Sequence, residues 1–152
     1  MPIHIYVDAD ACPAKDDVLK VAERHNLRVT FIGNRWLRGL DHPLVDQVVA
    51  PEGLDAADNL IAEKIAAGDL VVTADIPLAE RCLKAGAQVL APNGRPFTFD
   101  SIGAALAGRA VAEHLRSIGE TTSGPRPFGA ADRSRFLQAL DEAANRARRP
   151  RR

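Results

Sequence analysis

The stretch IHIYVDADACPAKDDVLKVAERHNLRVTFIG, residues 3–33, decides the reading of the chain. IHIYV (3–7) is a short apolar run rich in β-branched and aromatic residues, which reads as a buried strand. Residues 13–25 follow helical spacing through Ala14, Val18, Val21 and Ala22, with Pro13 at the position where a first-turn proline is favoured. RVTFIG (28–33) is again a strand. Strand, helix and strand in that order form a βαβ unit, which requires a parallel pair.

The same grammar continues outward. VDQVVA (45–50) reads as a third strand and residues 55–66 as a helix ending before Gly68. DLVVTAD (69–75), IPLAERCLKAG (76–86) and AQVLA (87–91) read as strand, helix and strand. The expected architecture is α/β, with a mostly parallel sheet covered by helices on both faces. Beyond Pro92, FTF (97–99) suggests a short strand, Ser101 a cap for a helix over 102–118, TTSGPRPFG (121–129) a loop, and 131–146 a last helix carrying Phe136, Leu137, Leu140 and Ala144. Residues 1–146 read as one domain and 147–152 as a basic, disordered tail.

Composition narrows the function. The chain has 152 residues, 46% hydrophobic and 26% charged, an ordinary globular balance. Lys plus Arg equals Asp plus Glu at 20 each, which argues against a broad basic surface for duplex DNA. Cys12 and Cys82 form no metal-binding spacing and no disulfide framework, and no apolar run is long enough to span a bilayer. With no signal-peptide pattern, a cytoplasmic setting is expected. The histidines at 4, 25, 42 and 114 show no ligand spacing. Cys12 lies near a helix start but has no evident base partner, so no nucleophilic role is assigned to it.

The acids are more informative. Asp8 ends the first strand, with Asp10 just beyond it, and Asp75 follows the apolar run of the fourth. Open α/β sheets bind ligands beyond the carboxyl ends of their strands. Asp58 stands at the head of the helical face that continues through Ile61, Ala62 and Ile65. Two carboxylates ~4 Å apart repel by about 4 kcal/mol at an effective dielectric near ~20, so such a cluster calls for a cation or for retained protons. Oxygen ligands alone favour Mg²⁺ or Mn²⁺, and with them phosphate chemistry. Each acid also has a plainer reading. Asp55 caps a helix, Asp58 answers a helix dipole, and Asp75 and Asp10 open the helices that follow them. Asp8 is the hardest to explain that way.

VDADACP (7–13), Asn34-Arg35, GDLVVTADIPLA (68–79) and TSGPRPF (122–128) resemble the YaiI/YqxD family of small bacterial proteins, over about residues 2 to 141. The resemblance implies the PIN-like superfamily of metal-dependent nucleases, a three-layer α/β/α fold with C-terminal helices. It carries the catalytic acids onto Asp8, Asp58 and Asp75, with Asp10 a further ligand of Mg²⁺ or Mn²⁺, and Asp55 and Thr73 in support. Where many PIN nucleases place another acid soon after the fourth-strand aspartate, Pro77 and Leu78 follow Ile76, and the nearest acid is Glu80.

Around these acids, Asn34, Arg35, Lys15, Ser123 and Arg126 are candidates for substrate binding, since arginine forks suit phosphate. The plainer readings are a solvated lysine at 15 and, for TTSGPRPFG, a tether that lays the last helix on the core. Trp36 either stacks on a base or anchors its loop. The expected activity is a metal-dependent ribonuclease or phosphodiesterase acting on RNA or single-stranded nucleic acid. The alternative is a non-catalytic binding module for nucleic acid or protein. A haloacid-dehalogenase-type phosphatase would use VDAD as its DxD start, but its downstream GDxxxD pattern fails, because Thr73 stands where the second acid belongs.

Overall fold

A computed structural model describes residues 3–51, 56–104 and 129–148. Five strands, β1 (His4–Asp8), β2 (Arg28–Gly33), β3 (Val45–Val49), β4 (Leu70–Val72) and β5 (Gln88–Leu90), form one sheet in the order β3-β2-β1-β4-β5. Every neighbouring pair is parallel. The α/β reading therefore holds.

Alternation along the strands separates two cores. Ile5 and Val7 of β1, Val29 and Phe31 of β2, and Leu70 and Val72 of β4 point to one face. There they meet α1 (Lys15–His25) and α5 (Ala130–Arg148). Tyr6, Ile32, Val71 and Val89 point to the other face, under α2 (Ala56–Lys64), α3 (Ile76–Lys84) and the described start of α4 (99–104). Burial on both faces explains why these strands read as unbroken apolar runs.

The last helix lies along the first. Asp17 faces Arg133 at 3.5 Å and, further along both helices, His25 meets Asp141 at 2.7 Å. The two helices therefore run parallel, with both N-termini at the carboxyl edge of the sheet. Phe136, Leu140, Ala143 and Ala144 are fully buried on the inner stripe of α5, each large side chain contributing about 1.5–3 kcal/mol of burial.

Several local expectations change. The helix after β1 starts at Lys15, not Pro13, because a 3-10 turn over Ala9–Ala11 takes the chain off the strand and Ala14 (φ −110°, ψ 41°) is not helical. No strand forms over 97–99. Phe97 N–H donates to Val89 O, an isolated bridge joins Leu90 to Pro96, and Phe99 is already helical. Thr98, not Ser101, caps α4: Ser101 N–H donates to Thr98 Oγ1 (3.0 Å) while Thr98 N–H donates to Ser101 Oγ (2.8 Å), a reciprocal box. The rest of the helix expected over 102–118 and the loop expected over 121–129 lie outside the described residues, apart from 102–104 and Gly129. Helix α5 reaches Arg148, further than expected.

The turn after β5 meets α5 at Gly94, which has φ +89° and where a Cβ would come within 2.7 Å of the Arg135 carbonyl group. Neither contact partner is a flexible side chain, so the clash falls on helix backbone. Gly94→Ala is expected to cost about 1–3 kcal/mol. Chemical denaturation measures this, and an unchanged midpoint would mean that α5 does not rest on this turn.

Candidate functional site at the strand switch point

Chain order reverses direction in the sheet between β1 and β4, since β2 and β3 lie on one side and β4 and β5 on the other. A crevice opens at such a point beyond the strand carboxyl ends. The register pairs Val7 with Val72, which carries Asp8 and Thr73 to the same level across it.

Both side chains are buried, and Thr73 Oγ1 donates to Asp8 Oδ2 at 3.0 Å. Thr73 Oγ1 in turn accepts from Asp75 N–H at 3.0 Å. Asp75 Oδ1 accepts from Leu78 N–H at 2.8 Å, so Asp75 is the N-cap of α3. Strand β4 is shorter than the 69–75 read from sequence, because Asp75 is drawn into this cap. The two readings of Asp75 are therefore compatible: one carboxylate oxygen caps α3, and no hydrogen bond of the second is seen among the described residues.

Asp8 is held above the ordinary carboxylate value, first by burial and then by the negative charges of Asp10 and Asp75. The Thr73 hydrogen bond acts the other way and favours the ionised form. Asp10 lies in the 3-10 turn and is exposed. It does not cap α1; both its oxygens accept from Asn34 N–H, at 3.0 and 3.3 Å, fixing the loop after β2. That contact explains Gly33, where a Cβ would stand 2.9 Å from Asp10 Oδ1.

The remaining candidates are spread around this centre. Asp58 lies half-buried in the first turn of α2, and its charge is felt by Cys82 on α3. Lys15 Nζ donates to Cys12 O at 2.6 Å, tying the turn to the head of α1. Asn34 and Arg35 are exposed at the carboxyl end of β2. Asp55, Ser123 and Arg126 lie outside the described residues. Burial pushes the Cys12 thiol up, with Asp8 and Asp17 adding to it against the smaller lowering effects of the Ala14 amide and Lys15, which leaves it unsuited to nucleophilic work. Burial likewise pushes the Cys82 thiol up to about 12.

Sequence reasoning missed Asp17. It is 4% exposed, and its Oδ2 makes no hydrogen bond among the described residues, facing Arg133 Nε instead. The signal was present: Asp17 falls on the same helical face as Val21 and His25, both buried.

Among the described residues no group of three or more His, Cys, Asp or Glu side chains is close enough to hold a metal ion. Asp8 and Asp75, with Asp10 beside them, offer oxygen donors under mutual repulsion. That set suits a hard cation held by one or two carboxylates that keeps most of its waters.

Sheet order and helices on both faces define a parallel α/β/α protein with Asp8 and Thr73 at its strand switch point. The chain belongs to the YaiI/YqxD family: the family model described as "Uncharacterized BCR, YaiI/YqxD family" matches residues 6–146. A UPF0178 protein of Rhodopseudomonas palustris is 60% identical over 147 residues, covering 97% of this chain and 93% of that one. UPF0178 proteins of Caulobacter sp. (56%, covering 95% and 96%) and Nitrobacter winogradskyi (55%, covering 97% and 94%) are similar over almost the same span. No solved structure matches.

Two stability measurements separate the roles of these acids. Asp75→Ala is expected to cost about 0.5–2 kcal/mol through loss of the α3 cap, whereas Asp75→Asn keeps a good cap and stays near wild type. Equal loss in both variants would assign Asp75 to charge rather than capping. For Asp8 the folded pKa is raised, so its contribution to stability is fully present below the ordinary value of 3.8 and declines as pH rises through the folded value. Asp8→Asn, which still accepts from Thr73, should therefore raise the thermal midpoint at neutral pH and lose that advantage in acid. A gain that is the same at both pH values would count against buried charge as the cause.

Proposed function

We propose that this protein is a metal-dependent phosphodiesterase of PIN-like type acting on RNA or another single-stranded nucleic acid. The observation that carries the reading is the buried Asp8 carboxylate at the switch point, destabilised as an anion by burial and by two neighbouring acids. A buried acid perturbed both by desolvation and by named charged neighbours is a functional-site candidate with a stated physical cause.

Asp8 and Asp75 would hold Mg²⁺ or Mn²⁺ as a pair, with Asp58 and Asp10 supplying negative charge from the α2 and β2 sides rather than sharing the ion, since no three of these acids come close enough together. A bound ion of this kind supplies Lewis-acid stabilisation of the phosphoryl oxygens and a more acidic water. The protein's part is positioning. Thr73 fixes Asp8 Oδ2, and the Asp10 backbone amide also favours the Asp8 carboxylate. The Asp75 cap fixes that carboxylate against the head of α3. Asn34, Arg35 and Lys15, with Ser123 and Arg126, would meet the substrate's phosphates.

A second reading, a non-catalytic binding module of the same fold, is favoured by the carboxylate bonds already in place. Asp10 accepts from Asn34 N–H and Asp75 from Leu78 N–H, and no three-ligand cluster exists among the described residues.

Incubation of the full chain with mixed single-stranded RNA separates the two. Cleavage in Mn²⁺, abolished by chelator and by the Asp8→Asn/Asp75→Asn double variant, is the expected result. Cleavage no higher than that of the double variant would sink the nuclease reading, and Mn²⁺-independent RNA binding would then support the module.

A further inference from the structure

The loop after β2 is built to display an aromatic ring. Trp36 is 62% exposed, the most exposed large hydrophobic side chain among the described residues. The backbone on either side of it is held. Asn34 N–H donates to the Asp10 carboxylate. Leu37 is gripped twice by Gln47 of β3: Leu37 N–H donates to Gln47 Oε1 at 2.9 Å, and Gln47 Nε2 donates to Leu37 O at 2.8 Å. The apolar anchoring of this loop falls to other residues, since Leu40 is buried and Leu37 packs on the core. An anchoring role for Trp36, the plainer reading of its sequence, is therefore taken by Leu37 and Leu40, and the indole is left in water on an ordered support.

Its neighbours give the display a chemistry. Arg35 and Arg38 flank it, both exposed, and among the described residues neither has a hydrogen-bond or ion-pair partner. An exposed aromatic ring with two uncommitted arginines close to it in the same loop matches a base and its adjoining phosphates. The support reaches the acid crevice directly, because the residue holding Asn34 is Asp10, whose charge acts on Asp8.

We infer that Trp36 is a base-stacking platform for single-stranded nucleic acid, with Arg35 and Arg38 contacting the adjoining phosphates. The inference rests on the nucleic-acid reading above but not on catalysis. A duplex keeps its bases stacked on one another and offers no free face to the indole, so the platform selects unpaired strands. Asp10, by holding the loop, fixes the distance between the stacked base and the acid crevice.

Trp36 is the chain's single tryptophan, so its fluorescence reports this position alone. The full-length Asp8→Asn protein is titrated in chelator with a single-stranded RNA of about ten nucleotides, near the size of a small single-strand site, and with the duplex of the same sequence. The expected result is quenching by the single strand and much less by the duplex. Labelled-oligonucleotide anisotropy should show Trp36→Ala weakening single-strand binding by about tenfold to hundredfold, with Trp36→Phe restoring most of it and Trp36→Leu little. Circular dichroism checks that each variant folds, as expected for an exposed position. Wild-type affinity in Trp36→Ala, quenching without single-strand preference, or no RNA binding at all would overturn the proposal; the first would instead mark the indole as a protein contact. Quenching together with no Mn²⁺-dependent cleavage by the unsubstituted chain leaves the platform standing and removes the nuclease reading. Cleavage with unchanged binding in Trp36→Ala does the reverse.

Discussion

The Thr73 hydroxyl is the hinge of this site. It donates to Asp8 at the end of β1 and accepts from the Asp75 amide at the head of α3. One small side chain thus joins the two strands on either side of the switch point and sets where both acids stand. A threonine suits this position because its hydroxyl is both donor and acceptor while its methyl group keeps the β-branched character of the strand. Removing Thr73 would take from a buried carboxylate its side-chain donor, a costlier fault than the loss of an exposed hydrogen bond.

Around that hinge, the loops after β2 and β4 are tied to neighbouring elements by polar contacts. Asp10 holds the β2 loop, Gln47 holds the same loop from β3, and Asp75 holds the start of α3. These side chains brace the fold, and the charges of Asp10 and Asp75 still act on Asp8. The plain reading of a capping or loop-fixing acid and the functional reading are therefore not rivals at these positions. A carboxylate has lone pairs for both uses.

The sheet was legible from the sequence because its central strands β1, β2 and β4 are buried on both faces and so appear as compact apolar runs. β2 matched residue for residue, and the others differed only at their ends. That Asp8 and Asp75 stand at the carboxyl edge followed from the general rule for open parallel sheets, whereas the adjacency of β1 and β4 that brings them together came from the structure. What could not be read was the local geometry of polar contacts. The 3-10 turn at Ala9–Ala11 depends on Asp10 meeting an amide far along the chain, and no local pattern announces it. The cap at Thr98 was hidden by the apparent strand of FTF, since aromatic and β-branched residues suit both a strand and the entry to a helix. Asp17 was overlooked because its partner, Arg133, comes from the opposite end of the sequence.

That closure of the last helix onto the first bears on how the protein is made. The inner face of β1 and β2 is complete as sequence early in synthesis, but Phe136 and Leu140, which cover part of it, emerge only after all five strands have been made. Until then the ribosome-bound chain carries an open apolar face, a surface that chaperones recognise and that invites association between nascent chains. The native sheet can therefore become fully shielded on this face only after α5 has been made.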